Sequence, residues 1–176
     1  MIATGTVAIG VTGHRDLNDI DLIRTDVDRA LGDVCAQWRD RALVLVTSLA
    51  EGADRLVARI AIDRYNARLV VVLPLPTTEY EQDFRVDESH REFRELLASA
   101  AEIVAALPSP SRDAAYEQAA RMILDRSDFL IAIWDGQPSR GRGGTADVVA
   151  LAHARDVPLI WIRAAHRGSD GIYPAA

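Results

Sequence analysis

The pattern that most constrains the fold is an alternation between short, almost continuously apolar runs and longer segments with helical periodicity. Runs this rich in β-branched residues are typical of parallel strands that are covered on both faces. Such alternation requires right-handed crossovers, so it predicts an α/β, doubly wound, mostly parallel sheet of about six strands with helices on both faces. The predicted strands are TVAIGVT (6–12), ALVLVTS (42–48), RLVVVLPL (68–75), EIVAAL (102–107), DFLIAIWD (128–135) and PLIWIR (158–163).

Five segments between these strands carry apolar residues at helical spacing. The first of these helices has Asn18 or Asp19 as its predicted N-cap. The polar segment 74–89 is predicted to be a loop or short helix over one end of the sheet. We expect a single Rossmann-like domain over residues 1–164, followed by a loosely ordered tail over residues 165–176.

The composition of the chain limits the classes of partner that it can bind and indicates the cellular compartment that we expect. The chain has 176 residues, a net charge of −6 and a pI near 5.2, which disfavours binding to a nucleic-acid backbone. Its single cysteine, Cys35, excludes an intrachain disulfide and falls on the apolar side of a helix, where we expect a small buried hydrophobe. Neither a signal peptide nor a membrane-spanning run is recognisable, so the expected location is the cytoplasm.

In doubly wound sheets, ligands bind outside the carboxyl ends of the strands, near the point where the strand order reverses. The first loop at this edge is TGHRDL, after the first predicted strand. Gly13 allows a close backbone approach there, and Arg15 supplies a permanent cation for an anionic ligand. His14 has either a ligand-binding role or a role in bracing the loop.

The second loop, SLAEGADRLVA, follows the second strand and leads into a helix. Ser48 and Gly52 flank a tight turn whose following helix presents free N–H groups to an anion. Glu51 is a candidate acceptor for ribose hydroxyls. Asp54 suits the helix dipole in the first turn, and Arg55 is expected to be a solvated helix residue.

The third loop, WDGQPSRGRGGTADVV, is a glycine cluster between the fifth strand and an amphipathic helix. Thr145 is the predicted cap of that helix, and the N–H groups of Gly144 to Ala146 are predicted to point at a phosphate. Trp134 at the end of the strand either packs in the core or stacks on a base. The candidate ligand contacts of this loop are Trp134, Asp135, Gly136, Arg142, Gly143, Gly144, Thr145 and Ala146.

Three segments, TGHR, SLAEGADRLVARIA and SDFLIAIWDG followed by GRGGTADVV, resemble the SLOG superfamily of Rossmann-like nucleotide-binding domains. That superfamily includes the lonely-guy cytokinin-activating proteins and the DNA-processing protein A domain. Ser48, Gly52 and Asp54 match its turn ending in Gly-x-Asp, and Gly143 or Gly144 with Thr145 match its Pro-Gly-Gly-x-Gly-Thr-x-x-Glu loop. The resemblance implies a nucleotide-binding site at these residues.

The chain departs from this resemblance at the residue that performs catalysis. In lonely-guy phosphoribohydrolases, and in nucleoside 2-deoxyribosyltransferases, a functional glutamate stands three residues after the threonine; here that position is Val148. Asp147 is one position early and points about 100° away on a helix. The arginine expected on the preceding helix is also displaced, the nearest being Arg121. Cleavage of a glycosidic bond needs a carboxylate beside the anomeric carbon, and a valine cannot supply one.

Two functions remain open on these residues. The first is a non-catalytic module that binds a small phosphorylated ligand, either a nucleotide or a nucleotide-derived compound, and needs no cofactor or metal. The second is an enzyme that cleaves an N-glycosidic bond, with Glu51, Asp147, Asp135 or Glu117 as the missing carboxylate. A protein-binding scaffold is disfavoured by the clustered glycines.

The resemblance also implies partners. Superfamily members of the non-catalytic kind are sensors in bacterial defence or stress systems, and relatives dimerise through helices that flank the sheet. We therefore expect a homodimer or higher homo-oligomer, and output through a separate effector protein or through the oligomer itself.

Overall fold

The computed structural model describes residues 5–105, 108–138 and 144–164. Strands and helices alternate along these ranges, except that α3, a short 3-10 turn at Glu81–Asp83 and α4 follow one another between β3 and β4. In chain order the elements are β1 (Gly5–Gly13), α1 (Ile20–Gln37), β2 (Arg41–Thr47), α2 (Ala53–Tyr65), β3 (Arg68–Leu73), α3 (Thr77–Tyr80), α4 (Asp87–Ala98), β4 (Glu102–Ala105), α5 (Arg112–Leu124), β5 (Phe129–Trp134), α6 (Thr145–Ala154) and β6 (Leu159–Arg163).

The strands form one parallel sheet in the order β4-β3-β2-β1-β5-β6. The chain winds outward from β1 to β4 and then returns to β5 on the other side of β1. The strand order therefore reverses between β1 and β5, which is where this class of sheet opens a crevice for a ligand. The predicted fold class, a doubly wound parallel sheet of about six strands, is confirmed.

Helices cover both faces of the sheet. α1, α2 and α4 pack on one face, against side chains such as Val7 and Ile9 of β1. α5 and α6 pack on the other face, where Val70 and Val72 of β3 contact the α5 residue Ile123. Because alternate residues of a strand point to opposite faces, each strand must be apolar at nearly every position. This burial on two sides is the physical reason for the unbroken apolar runs in the sequence.

The structure confirms one predicted helix start and corrects another. Asp19 is the N-cap residue of α1, as one of the two predicted candidates, although its side chain makes no capping hydrogen bond. Thr145 is not a cap: it is the first residue of α6, and Gly144 occupies the N-cap position with an extended backbone. A glycine has no side chain to bond the first N–H groups of a helix, so those groups stay free for another acceptor.

The polar segment 74–89 folds largely as short helices, the second of the two predicted alternatives. It contains α3, the 3-10 turn and the start of α4, and it buries the rings of Tyr80 and Phe84. Cys35 is half-buried against the core. The predicted tail, residues 165–176, lies outside the described residues. In the ranges that the structure describes, no helix is both long and apolar enough to cross a membrane.

Two glycines let the turn after β1 touch the start of α2. A Cβ on Gly13 would collide with Ala53 Cβ and with the carbonyl oxygen of Ile133. Gly52 has a φ of +81°, and a Cβ there would collide with the carbonyl oxygens of His14 and Arg15. The Ala53 N–H donates to the His14 carbonyl oxygen at 3.0 Å across this contact. The first loop and the second loop are thereby held against each other.

We expect Gly52→Ala to lower the free energy of unfolding by at least about 2 kcal/mol, because it adds a left-handed strain of about 1–3 kcal/mol and a collision with backbone atoms. Gly5→Ala is the matched control: a Cβ there meets nothing within 4 Å, so we expect a change within about 0.5 kcal/mol. Urea unfolding of the two variants measures the difference. Equal stabilities would show that the contact does not constrain the fold.

Candidate functional site

A cavity of about 380 Å³ opens at the carboxyl ends of β1 and β5, where the strand order reverses. Its volume falls within the range of small-molecule sites. The three loops singled out in the sequence all contribute to it, together with α3 and α5. The predicted contact residues that line it are Gly13, His14, Arg15, Ser48, Trp134, Asp135, Gly144, Thr145 and Ala146.

The first turn of α6 forms one end of the cavity. The N–H groups of Asp147 and Val148 donate to the Gly144 carbonyl oxygen, at 3.0 and 3.2 Å. The N–H groups of Thr145 and Ala146 precede them, in positions where a helix offers no acceptor. Both of these residues line the cavity. The positive end of the helix dipole and two free donors are thus available to an anionic group.

His14 and Asp135 form the side of the cavity between β1 and β5. The His14 N–H donates to the Ile133 carbonyl oxygen at 3.1 Å, which fastens the turn to the end of β5. The Asp135 N–H donates to His14 Nε2 at 3.2 Å, and the same nitrogen lies 3.1 Å from Asp135 Oδ1. The imidazole therefore braces the two loops and still lines the cavity.

The second loop is organised around a buried carboxylate. Asp54 Oδ2 accepts hydrogen bonds from the Thr47 hydroxyl at 2.7 Å and from the Ala50 N–H at 3.3 Å. Burial raises the pKa of Asp54 to about 6, although these hydrogen bonds act to lower it. The Ser48 hydroxyl donates to the Val72 carbonyl oxygen at 2.8 Å. Its oxygen remains able to accept a bond from a ligand, since Ser48 lines the cavity.

Trp134 belongs to the rim of the cavity and not to the core. Its indole N–H donates to the Gln137 carbonyl oxygen at 2.9 Å. Its ring lies 5.6 Å from that of Trp161, centre to centre, and is half-buried. These two partners fix the orientation of the ring beside the cavity.

Three predicted contacts in the described ranges do not line the cavity: Glu51, Gly52 and Gly136. Glu51 Oε1 instead accepts bonds from the Ser89 hydroxyl and the Arg85 N–H. Burial acts to raise the pKa of Glu51, but these two hydrogen bonds and the charges of Arg55 and Arg15 together lower it below its ordinary value. Gly52 serves the loop contact described above. Arg142 and Gly143 lie outside the described residues.

Arg55 is not the solvated helix residue that the sequence suggested. Only 2% of its surface is exposed, and its guanidinium lies 4.4 Å from the centre of the Phe84 ring. Its Nε donates to the Leu49 carbonyl oxygen, and its Nη1 donates to Ser89. The side chain therefore ties the second loop to α4, a role that depends on contacts from distant parts of the chain.

The carboxylates considered for catalysis are separated by the structure. Asp135 lines the cavity, whereas Asp147 is exposed on α6 outside it and Glu117 pairs with Arg121 on α5. Val148 lines the cavity and is 6% exposed, so an apolar side chain faces the site three residues after Thr145.

Sequence reasoning missed part of the cavity lining, including Tyr80 of α3 and Tyr116 of α5. The Tyr116 hydroxyl donates to Asp83 Oδ2, and Arg112 pairs with Glu79 and Asp83. These bonds join the α3 segment to the start of α5. The available signal was positional: segment 74–89 follows β3 at the same edge of the sheet.

Charge in the cavity is not dominated by cations. Among the described lining residues, Asp16, Asp54 and Asp135 carry carboxyl groups and Arg15 carries the guanidinium. No group of three or more histidine, cysteine, aspartate or glutamate side chains within the described residues is arranged to hold a metal ion. This balance suits a ligand with one anionic end, held by α6, better than a polyanion.

Neither a protein-family model nor a curated protein matches the sequence. Solved structures do match. The X-ray structure of the protein TM1055 gives a TM-score of 0.51 at 14% identity, covering 88% of this chain and 72% of that one. A Moco carrier protein from Chlamydomonas reinhardtii gives 0.52 at 18% identity, covering 89% and 76%. A second structure of that molybdenum cofactor carrier protein gives 0.50 at 16% identity. At these identities the likeness shows a shared Rossmann-like fold.

The raised pKa of Asp54 predicts a specific pH dependence of stability. Between pH about 4 and 6 the native protein keeps a proton on Asp54 that the unfolded chain has released, since the ordinary pKa is 3.8. Asp54 therefore lowers the free energy of unfolding as the pH rises through this window, by about 3 kcal/mol in total.

Asp54→Asn keeps the accepting oxygen but cannot ionise. We expect its stability relative to the natural chain to be about 2 kcal/mol more favourable at pH 7 than at pH 4, where part of the effect is already present. Urea unfolding of both proteins at the two pH values measures this difference. A relative stability that is the same at pH 4 and pH 7 would contradict a raised pKa at Asp54.

Proposed function

We propose that the protein binds a small phosphorylated ligand, a nucleotide or nucleotide-derived compound, in the cavity between β1 and β5 without cleaving it. The observation that carries this proposal is the open first turn of α6, with the Thr145 and Ala146 N–H groups at the edge of a cavity of about 380 Å³. Arg15 lines the same cavity. Phosphate binding at helix N-termini follows from this combination of free donors and dipole.

Two further observations support the proposal: the side chain at position 148 and the fold. A valine faces the site in the position of the glutamate that glycoside-cleaving relatives use. A structural neighbour with this fold is named as a molybdenum cofactor carrier protein, which is a protein that binds a small molecule. We assign the chain to the SLOG superfamily on its three motifs, and propose that it is a sensor that acts as a homo-oligomer or through a separate effector protein.

Calorimetric titration and thermal shift against nucleoside monophosphates, cyclic nucleotides, ADP-ribose and sugar phosphates test the proposal. A ligand at a hundred times its dissociation constant adds about 2.7 kcal/mol to the free energy of unfolding, a rise of roughly 5–10 °C in melting temperature for a chain of this size. The absence of any shift across the panel, with folded protein, would overturn the proposal.

Two substitutions at Thr145 isolate the proposed donor. Thr145→Pro removes the N–H at the first helical position, where proline is well tolerated, and Gly144 already has the extended backbone that a following proline requires. Thr145→Ala removes the hydroxyl and keeps the N–H. Because a hydrogen bond to a charged group contributes about 1.5–3 kcal/mol, we expect Thr145→Pro to weaken binding about 10- to 100-fold.

Thr145→Ala is expected to weaken binding of the same ligand less than about threefold. Calorimetric titration of both variants, with circular dichroism to verify the helix, provides the comparison. Equal losses in the two variants would show that the hydroxyl, and not the helix N–H, holds the ligand.

One contact favours N-glycosidic cleavage as a second candidate function. Asp135 lines the cavity, 7% exposed and 3.1 Å from His14, so a carboxylate and an imidazole meet beside the space for a ligand. Incubation with nucleoside monophosphates, followed by chromatography for free base, tests it. Sustained release of base that is lost in Asp135→Asn would favour the enzyme over the binding module.

A further inference from the structure

Another cavity, of about 230 Å³, lies among α1, α2 and α4, away from the start of α6. Its described lining carries four guanidinium groups and one carboxylate, from Arg15, Arg24, Arg55, Arg59 and Glu92. The chain as a whole has a net charge of −6, and the described lining of the cavity between β1 and β5 has more carboxyl groups than cations. An excess of positive charge in a concave part of an acidic protein attracts anions.

Two of these arginines have no carboxylate partner. Arg24 is exposed on α1 and forms neither an ion pair nor a hydrogen bond with another described residue. Arg15 Nη1 lies 3.5 Å from the carbonyl oxygen of Asp83, and no described carboxylate forms an ion pair with it. The carboxylate of Glu51, whose pKa the charge of Arg15 helps to lower, accepts bonds from other donors. Both guanidinium groups are therefore available to a phosphate or carboxylate, whose geometry they match.

The other two arginines share one carboxylate of the lining. Glu92 Oε2 lies 3.4 Å from Arg55 Nη1, and its Oε1 lies 3.8 Å from Arg59 Nε. Arg59 also pairs with Glu95 at 2.9 Å and keeps 38% of its side chain exposed, so it can turn a donor to a ligand. Arg55 is buried and contributes only its charge. The positive charge around the cavity is thus only partly neutralised.

The size and the apolar part of the lining indicate what kind of anion fits. Leu17, Ile20 and Leu56 line the same cavity, and 47% of the Ile20 surface is exposed. The volume is below the roughly 300 Å³ at which pockets for drug-sized ligands begin. It suits one phosphate group with a few carbon atoms and not a whole nucleotide.

We infer that this cavity, which the proposed function does not use, is a site for a small phosphate monoester. The phosphate group bonds the donors of Arg15, Arg24 and Arg59, while the buried charge of Arg55 lies behind them. The carbon part of the ester contacts the apolar residues of the lining, among them Ile20. Guanidinium groups bind phosphate through paired, charge-assisted hydrogen bonds, which supply the affinity here.

Calorimetric titration of the natural chain with phenyl phosphate and with inorganic phosphate, at low ionic strength, tests the inference. We expect saturable binding of phenyl phosphate with a Kd below about 1 mM. Phenyl phosphate should bind at least about threefold tighter than inorganic phosphate, because only the ester has a carbon part to place on the apolar lining.

Three substitutions locate the bound phenyl phosphate by charge. Arg24→Gln should weaken binding at least about fivefold, because it removes a charge-assisted donor. Arg29→Gln is the matched control on the same helix: Arg29 pairs with Asp26 and does not line the cavity, so the effect should stay below about twofold. Glu92→Gln should tighten binding about threefold, since it removes a repelling carboxylate.

Two further measurements separate this site from the fold and from α6. Arg24 is exposed and unpaired among the described residues, so Arg24→Gln should leave the melting temperature within roughly 2 °C of that of the natural chain. Thr145→Pro removes a donor of the other cavity, and it should change the affinity of this site for phenyl phosphate less than about twofold.

Several results would overturn the inference. Equal losses in Arg24→Gln and Arg29→Gln would show a response to net charge alone, and weaker binding in Glu92→Gln would exclude an anion at this cavity. Inorganic phosphate binding as tightly as phenyl phosphate would exclude an ester. A loss in Thr145→Pro that Arg24→Gln does not share would locate the anion at α6, which overturns this site and supports the proposed function. Absence of saturable binding up to about 10 mM overturns this site alone.

Discussion

The edge of the sheet where we propose that a ligand binds depends on one backbone contact. This contact is the close approach of the turn after β1 to the first residue of α2. Gly13 and Gly52 permit it, since a methyl group at either position would collide with neighbouring atoms. The contact aligns the first loop with the second, and the His14 N–H bond to Ile133 aligns the first loop with β5. All three predicted loops thereby converge on the place where the strand order reverses.

Electrostatics then determine what kind of ligand this edge suits. Asp54 is buried behind the second loop, and its pKa is raised because burial disfavours the ionised carboxylate. The described lining contains more carboxyl groups than cations. We propose that an anion binds at the first turn of α6, with Arg15 as the cation of the described lining. Such an arrangement favours one phosphate at one end and neutral contacts elsewhere.

Most of the fold could be predicted from the sequence, because a strand that is buried on both faces is apolar at nearly every position. The position of Val148 towards the site could also be predicted, since helical phase follows from the start of α6. The roles of Tyr80 and Arg55 could not. Tyr80 reaches the cavity only because α3 folds back over the sheet edge, and Arg55 is buried only because Phe84 and Ser89 cover it. Both depend on contacts between residues that are distant in the chain.

The most direct test of the account is a crystal structure of the protein with a bound nucleoside monophosphate. The account predicts phosphate oxygens within about 3 Å of the Thr145 and Ala146 nitrogens. A nucleotide bound elsewhere on the molecule, or bound here with its phosphate away from α6, would contradict it.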